Sequence, residues 1–465
     1  MKFDDLDPDL LRATIQRALR HGGDFAEVYV EDRRSLSLAL DDGKIERTSG
    51  GHDYGAAVRL TVGDRTYHAY TDEVTEADLN AAADAVAAAI GAGVAGSAAE
   101  LGNLRSEPGL HAVGRPPQAV AIDDKAALLR EADETARAYD AAVHQVSASY
   151  LEGRQRVLIA NSLGDLVADD RTRVRLTVSV VARRDGIIQM GHESRGKSRG
   201  FEVIEGSVAA DLAGAAAAKA VTMLSAKPAP SGPMAVVLAN GFGGVLFHEA
   251  CGHGLEADAV VKGASIYAGK LGKVIAAPIV TAYDDGTIPG EWGSAAFDDE
   301  GIPMQKTMVI DEGRLCSYLN DRLRAGKMKS PPTGNGRRQS FRHVPVPRMS
   351  TTYIAPGNAT PEDVIAATKH GFYAKSLSGG QVEPASGNFV FGVAEGYLIE
   401  NGRVTTPLRG ATLVGSGIDI LKDIDMIAGD FRVKPGMCGK DGQSVPVGTG
   451  QSTLRIKRMT VGGTG

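Results

Sequence analysis

The chain has 465 residues, 43% hydrophobic and 23% charged, with a net charge of −6; this is ordinary for a globular protein of two or three domains and excludes a global attraction to nucleic acid or anionic membrane. Three scattered cysteines exclude a disulfide framework and suit a reducing compartment. The opening Met-Lys-Phe-Asp-Asp-Leu-Asp lacks the pattern of a signal peptide, and the weakly polar stretch 81–99 is interrupted by Asp84, so a cytoplasmic protein with no membrane span is expected.

The first half reads as built twice. A helix over 10–19 precedes alternating strands at 27–30, 36–40, 55–62 and 65–70, and a helix over 76–90 follows. The pattern recurs as a helix over 124–139, strands at 143–151, 156–161, 173–182 and 187–192, and a helix over 208–224. The expected fold class is α+β: an N-terminal helix and antiparallel-meander domain over 1–225, with units at about 1–95 and 120–225, each hiding one face of its own sheet under its helices. No cluster in this half carries chemistry, and it reads as scaffold plus a dimer or substrate surface.

Residues 226–233, Ala-Lys-Pro-Ala-Pro-Ser-Gly-Pro, break both periodicities and form the expected linker. Beyond them 234–239 reads as a buried strand entering a helix that carries Phe-His-Glu-Ala-Cys-Gly-His-Gly-Leu-Glu at 247–256. His248 and His253 are candidate imidazole ligands, and Glu249 lies beside the first, the components from which a zinc hydrolase prepares water for attack. The familiar element is H-E-x-x-H, with its histidines one turn apart. Here the second histidine comes one residue later, and five steps of about 100° would leave the rings roughly 140° apart on a regular helix. A π-type turn, with one extra residue, realigns them, and Gly252 and Gly254 are expected to ease that distortion. Two histidines also need a third ligand. Cys251, three residues after His248, competes with His253 for direction, whereas Cys438 lies in a glycine-rich loop, Lys434-Pro-Gly-Met-Cys-Gly-Lys-Asp-Gly, and offers a soft thiolate. Cys316 reads as a small buried hydrophobe in an alternating stretch.

From Val274 onward, short β-rich segments separated by Asp-Gly, Pro-Gly and Asn-Gly turns predict a largely antiparallel, barrel-like or sandwich-like C-terminal domain over 234–465, interrupted by one helix over 361–369. The stretch 314–348 is rich in Arg and Lys, yet Tyr318 and Phe341 are its only rings, which argues against nucleic acid. Arg337, Arg338, Arg342 and His343 are candidates to bind a peptide carboxylate or a tetrahedral oxyanion, the alternative being a solvated loop face. The segment 379–393 alternates like a hairpin strand, either internal or an edge able to accept an extended peptide. The glycine-rich 436–450 does not match a phosphate loop.

The ordered motifs resemble the TldD branch of the TldD/PmbA (TldD/TldE) metalloproteases. They comprise the His248–Asp258 run, Phe297-Asp-Asp-Glu-Gly-Ile-Pro, the stretch from Gly334 to His343, Pro347-Arg-Met-Ser-Thr-Thr-Tyr, Glu400-Asn-Gly and Gly436-Met-Cys-Gly-Lys-Asp-Gly-Gln. One departure is Met-Ser-Thr-Thr in place of Met-Thr-Asn-Thr. The resemblance implies one Zn²⁺ held by His248, His253 and Cys438, Glu249 as catalytic base, and small or unfolded peptides as substrates. It also implies a TldE-type paralogue as heterodimer partner, a homodimer being the alternative; that branch lacks the His-Glu element, which makes this chain the catalytic member. Two rival readings are a hydrolase of non-peptide amides and a non-catalytic binding or maturation factor with a vestigial site.

Overall fold

The computed structural model describes residues 3–91, 93–106 and 110–463. In its first half, helices α1 (Pro8–Ala18), α2 (Glu76–Ala88), α3 (Ile122–Tyr139) and α4 (Val208–Leu224) cover a sheet of six strands, β1 (Phe25–Asp41), β2 (Lys44–Val62), β3 (Arg65–Thr71), β4 (Val143–Asn161), β5 (Leu166–Arg184) and β6 (Ile187–Lys197). The strand order is β3-β2-β1-β4-β5-β6, antiparallel throughout. The two units therefore share one sheet instead of carrying one each, joined along β1 and β4. The strands are also longer than expected, since 27–30 and 36–40 belong to one strand, as do 143–151 and 156–161.

Side-chain alternation explains how one sheet serves both helix pairs. Val28, Val30, Val58 and Leu60 pack under α1 and α2 against Leu11, Ile15, Leu79 and Val86. Further along the same face, Leu38, Leu40, Val146, Tyr150 and Leu176 pack under α3 and α4 against Leu129, Ala132 and Ala217. All the strand residues named are even-numbered. Odd-numbered Tyr29, Ala57, Val157 and Ile159 face the other way and bury Phe297 and Phe341 of the second half. The expectation of a single covered face is thus corrected: the sheet's centre is covered on both sides.

In the second half, β7 (Gly232–Leu238), β8 (Ala282–Asp285), β9 (Lys306–Asp311), β10 (Thr351–Ile354), β11 (His370–Glu383), β12 (Asn388–Glu400), β13 (Thr412–Ser416), β14 (Arg432–Lys440), β15 (Gln443–Gln451) and β16 (Leu454–Gly462) are the strands that matter for the site. Five close into a barrel, β11-β7-β16-β13-β12 and back to β11, so the α+β class with a barrel-like second half is observed. A separate sheet runs from β9 through β8, β10 and β15 to β14. The β14–β15 hairpin turns at Asp441 and Gly442, with φ of 51° and 71°. Asp42-Gly43 and Asp185-Gly186 use the same left-handed pair, the two-residue turn whose twist matches antiparallel strands.

The helix expected over 361–369 ends at Ala366, and beyond it the Thr368 and Lys369 carbonyls accept from the Gly402 and Asn401 amides. Arg322–Met328 and Gly417–Lys422 are further short helices. Both sides of 388–392 are paired, to β11 and β13; β11 beyond Ala374 has no strand on its other side among the described residues. No helix among them is long and apolar enough to cross a membrane.

Candidate metal centre

The strand β7 runs into a helical segment that changes pitch three times. It is 3₁₀ over Gly241–Gly244, α over Val245–Phe247, π over His248–Gly252 and α again over His253–Leu255. The His253 amide donates to the His248 carbonyl, five residues back, and this supplies the additional residue per turn that the spacing demands. The two imidazole centroids come within 5.0 Å, with ring planes at 83°.

Gly252 has an ordinary helical φ of −53°, so the π turn does not draw on glycine's freedom there. What the glycines provide is close approach. A Cβ on residue 252 would lie 2.1 Å from the Met349 sulfur, and one on residue 254 would lie 2.5 Å from the Tyr267 ring.

The donor atoms of His248, His253 and Cys438 all lie within 4.8 Å of one another. Cys438 comes from β14, which brings its Sγ to 3.4 Å from His253 Nε2; tetrahedral zinc, with bonds of ~2.3 Å to sulfur and ~2.0 Å to nitrogen, requires about 3.5 Å between such donors. Burial alone would raise the Cys438 thiol, but hydrogen bonds and charge from His248 and His253 override it and pull the group down to about 5. Two imidazoles and a thiolate are a donor set that fits a catalytic zinc site.

The surrounding groups fix the ring orientations. His253 Nδ1 lies 2.9 Å from Glu256 Oε2, so with Nδ1–H donating, Nε2 is left free on the Cys438 side. His248 Nδ1 is 3.3 Å from Thr352 Oγ1 on β10. Lys440, two residues past Cys438, donates to Glu256 at 2.9 Å, to Asp258 at 2.7 Å and to the Pro347 carbonyl at 3.0 Å. It therefore ties the thiolate's strand to the carboxylate that holds His253. Arg348 completes the support by donating to the Cys438 carbonyl.

Glu249 Oε2 stands 3.7 Å from His253 Nε2, with its side chain 20% exposed. Burial raises its pKa above the ordinary value, with His248 and His253 partly opposing. Cys251, by contrast, is sealed in the apolar core with Leu246, Phe247 and Leu255, and burial pushes its thiol up to about 12. Cys316 is exposed, which corrects its reading as a buried hydrophobe.

The four basic candidates make their bonds elsewhere. Arg337 donates to the Met349 and Pro446 carbonyls, and Arg338 to Glu27 and the Asp299 carbonyl. Arg342 pairs with Asp53 and Asp72 at the surface, and His343 Nδ1 meets Ser340 Oγ at 2.9 Å. None of these bonds goes to His248, Glu249, His253 or Cys438. Glu256, Thr352 and Lys440 escaped the sequence reading; for Glu256 alone there was a signal, a carboxylate one helical turn after a candidate ligand.

Comparison with known proteins matches the three domains of the PmbA/TldA metallopeptidases: domain 1 at residues 26–90, the central domain at 115–224 and the C-terminal domain at 231–463. A Haemophilus influenzae protein named metalloprotease TldD homolog is 42% identical, over 95% of this chain and 93% of that one. A Saccharolobus solfataricus protein named zinc metalloprotease TldD homolog is 32% identical over 70% of each. The crystal structure of TldE from Thermococcus kodakarensis has the same fold, with a TM-score of 0.79 at 19% identity, covering 97% of this chain and 99% of that chain.

Proposed function

We propose that this chain, which belongs to the PmbA/TldA metallopeptidase family, hydrolyses small or unfolded peptides in the cytoplasm, using one zinc ion held by His248, His253 and Cys438. The observation that carries this reading is the convergence of the three donors within 4.8 Å, beside the Glu249 carboxylate. Zinc, when bound, supplies Lewis acidity: it lowers the pKa of a water toward about 7 and polarises the scissile carbonyl.

The protein's own contribution is proton handling and orientation. Glu249 accepts the proton of the attacking water and passes it to the departing amine nitrogen. Its raised pKa makes it a stronger base than an exposed glutamate. Glu256 and Thr352 hold the two imidazoles, and Cys438 contributes the negative charge that balances the site. A TldE-type paralogue is the proposed partner, on the strength of the shared fold.

The test is incubation of the purified protein, alone and with its paralogue, with a mixture of unstructured peptides read by mass spectrometry. Cleavage is expected, abolished by chelator and restored by zinc, and Cys438→Ser should bind less zinc by elemental analysis. Absence of cleavage with zinc and paralogue present would overturn the reading.

A further inference from the structure

We propose that a cavity on the opposite face of the β14–β15 hairpin from the Cys438 thiolate binds the carboxylate of a peptide substrate, held by Arg173 and Arg337. The ligand class rests on the peptidase reading; the cavity's demand for an anion does not.

The cavity, of about 110 Å³, lies between β1 and β4 of the first half and the hairpin of the second. Met437 and Pro446, directly opposed across the hairpin, both line it; Cys438, one residue on, points to the other face. Leu151, Arg154 and Met437 are exposed and form its mouth.

The charges around it do not balance. Six arginines line the cavity, Arg33, Arg154, Arg171, Arg173, Arg337 and Arg338, against two carboxylates, Glu152 and Asp299. Both carboxylates are committed, Glu152 to Lys125 at 2.6 Å and Asp299 to Arg171 at 2.7 Å. Arg154 pairs with Asp170 and Arg338 with Glu27. Arg33, Arg173 and Arg337 have no ion pair among the described residues. Arg173 is only 9% exposed, and among the described residues its one hydrogen bond runs from Nε to the Trp292 carbonyl at 3.1 Å. Arg337, 5% exposed, bonds only main-chain carbonyls among the described residues.

A buried guanidinium without a directly paired carboxylate is costly, and here two, Arg173 and Arg337, line one cavity. Burial, then Arg171 and Arg337, bring Arg173 down to about 9. The buried polar atoms left without partners on the lining residues are all N–H donors, Trp292 Nε1 and Arg338 Nε and Nη1. Planar guanidinium forks facing a small cavity suit a carboxylate, which can accept from two at once. The same hairpin carries the proposed thiolate ligand. Arg337 holds the Pro446 carbonyl and Arg348 the Cys438 carbonyl, so an anion bound here is positioned relative to the metal centre.

Trp292 is the chain's single tryptophan and lines the cavity, so its fluorescence reports binding without turnover. The zinc-loaded protein is titrated with an N-acetylated tripeptide as free acid, with its C-terminal amide, and with amides carrying an internal Glu or Gln. The expected result is a saturable fluorescence change, with the amide at least tenfold weaker than the free acid. A Glu amide that binds like the free acid would assign the carboxylate to a side chain instead of the terminus. Arg173→Gln should abolish the preference and Arg173→Lys retain part of it, with zinc content unchanged in both. Should Arg173→Gln fail to fold, Arg33→Gln at the less buried edge is expected to weaken acid binding several-fold. Equal affinity for acid, amide and Glu-bearing peptides, or a preference that survives both Gln variants, overturns the proposal. A protein that binds acids but cleaves nothing refutes the peptidase reading and leaves the pocket standing; one that cleaves peptides but binds acid and amide alike does the reverse.

Discussion

Glu249 works from surroundings that resist its charge. Burial raises its pKa above the ordinary 4.5 and the neighbouring imidazoles only partly offset this. In its proposed role as general base Glu249 acts deprotonated, so as pH falls through the raised value the carboxylate takes up a proton and kcat/KM is expected to fall. The acid limb of the pH profile is therefore expected above pH 4.5. Glu249→Gln should remove that limb and lower kcat by at least ~10² with zinc content unchanged; a variant with full turnover would remove Glu249 from the mechanism. The carboxylate that orients His253 calls for a different measurement. Glu256→Gln is expected to lower zinc affinity about 10- to 100-fold by chelator competition, and Lys440→Met to weaken it in the same direction by leaving Glu256 without its cation. At this scale the histidines and Glu249 were legible in the sequence because they share one short run. Lys440 and Thr352 were not, since only the pairing of distant strands brings them near.

The helical segment 241–255 shows how far spacing alone can be read. A His-to-His separation of five residues demands an extra residue in the turn, and a π turn occupies His248–Gly252. What the spacing could not reveal is the reason for the glycines, which depends on Met349 and Tyr267 packing against them. Gly254→Ala should cost about 1–3 kcal/mol through the clash with the Tyr267 ring, seen as a lower denaturation midpoint. Gly252→Ala should cost less, because a thioether can swing aside where a wedged ring cannot. The strands give the converse lesson. The run from Glu31 to Ser35 is polar on both faces and looks like a break in alternation, yet β1 passes straight through it. Glu31 is buried where it accepts from the Phe341 amide, and Arg33 lines the carboxylate cavity. Polar residues that meet partners from the other half of the chain cannot be told from a loop by periodicity.

Across the whole molecule, a buried chain of charges fastens the two halves together. Arg59 bridges Glu27 at 2.7 Å and Glu300 at 2.6 Å, and Arg338 reaches Glu27 from the second half. Burial alone would raise the Glu27 pKa, but Arg59 and Arg338 bring it to about 2. A depressed carboxylate stabilises the fold above its unfolded value of about 4.5, and that contribution is lost as pH falls toward 2. Glu27→Ala should therefore cost about 3–5 kcal/mol at pH 7, because it leaves buried arginines uncompensated; denaturant melts at pH 7 and pH 3 should show the gap from the parent narrowing in acid. The α+β class and the barrel-like second half could be read from turn spacing and alternation, whereas the sharing of one sheet by two units could not, since nothing local states which edge a strand joins. The separation of the ligands along the chain has a temporal consequence. Cys438 lies 185 residues after His253, and at roughly 5–20 residues per second a ribosome takes about 10 to 40 s to reach it. During that interval the emerging polypeptide carries both histidines without Cys438, so the proposed three-ligand site cannot assemble until the hairpin that holds the last ligand has been made.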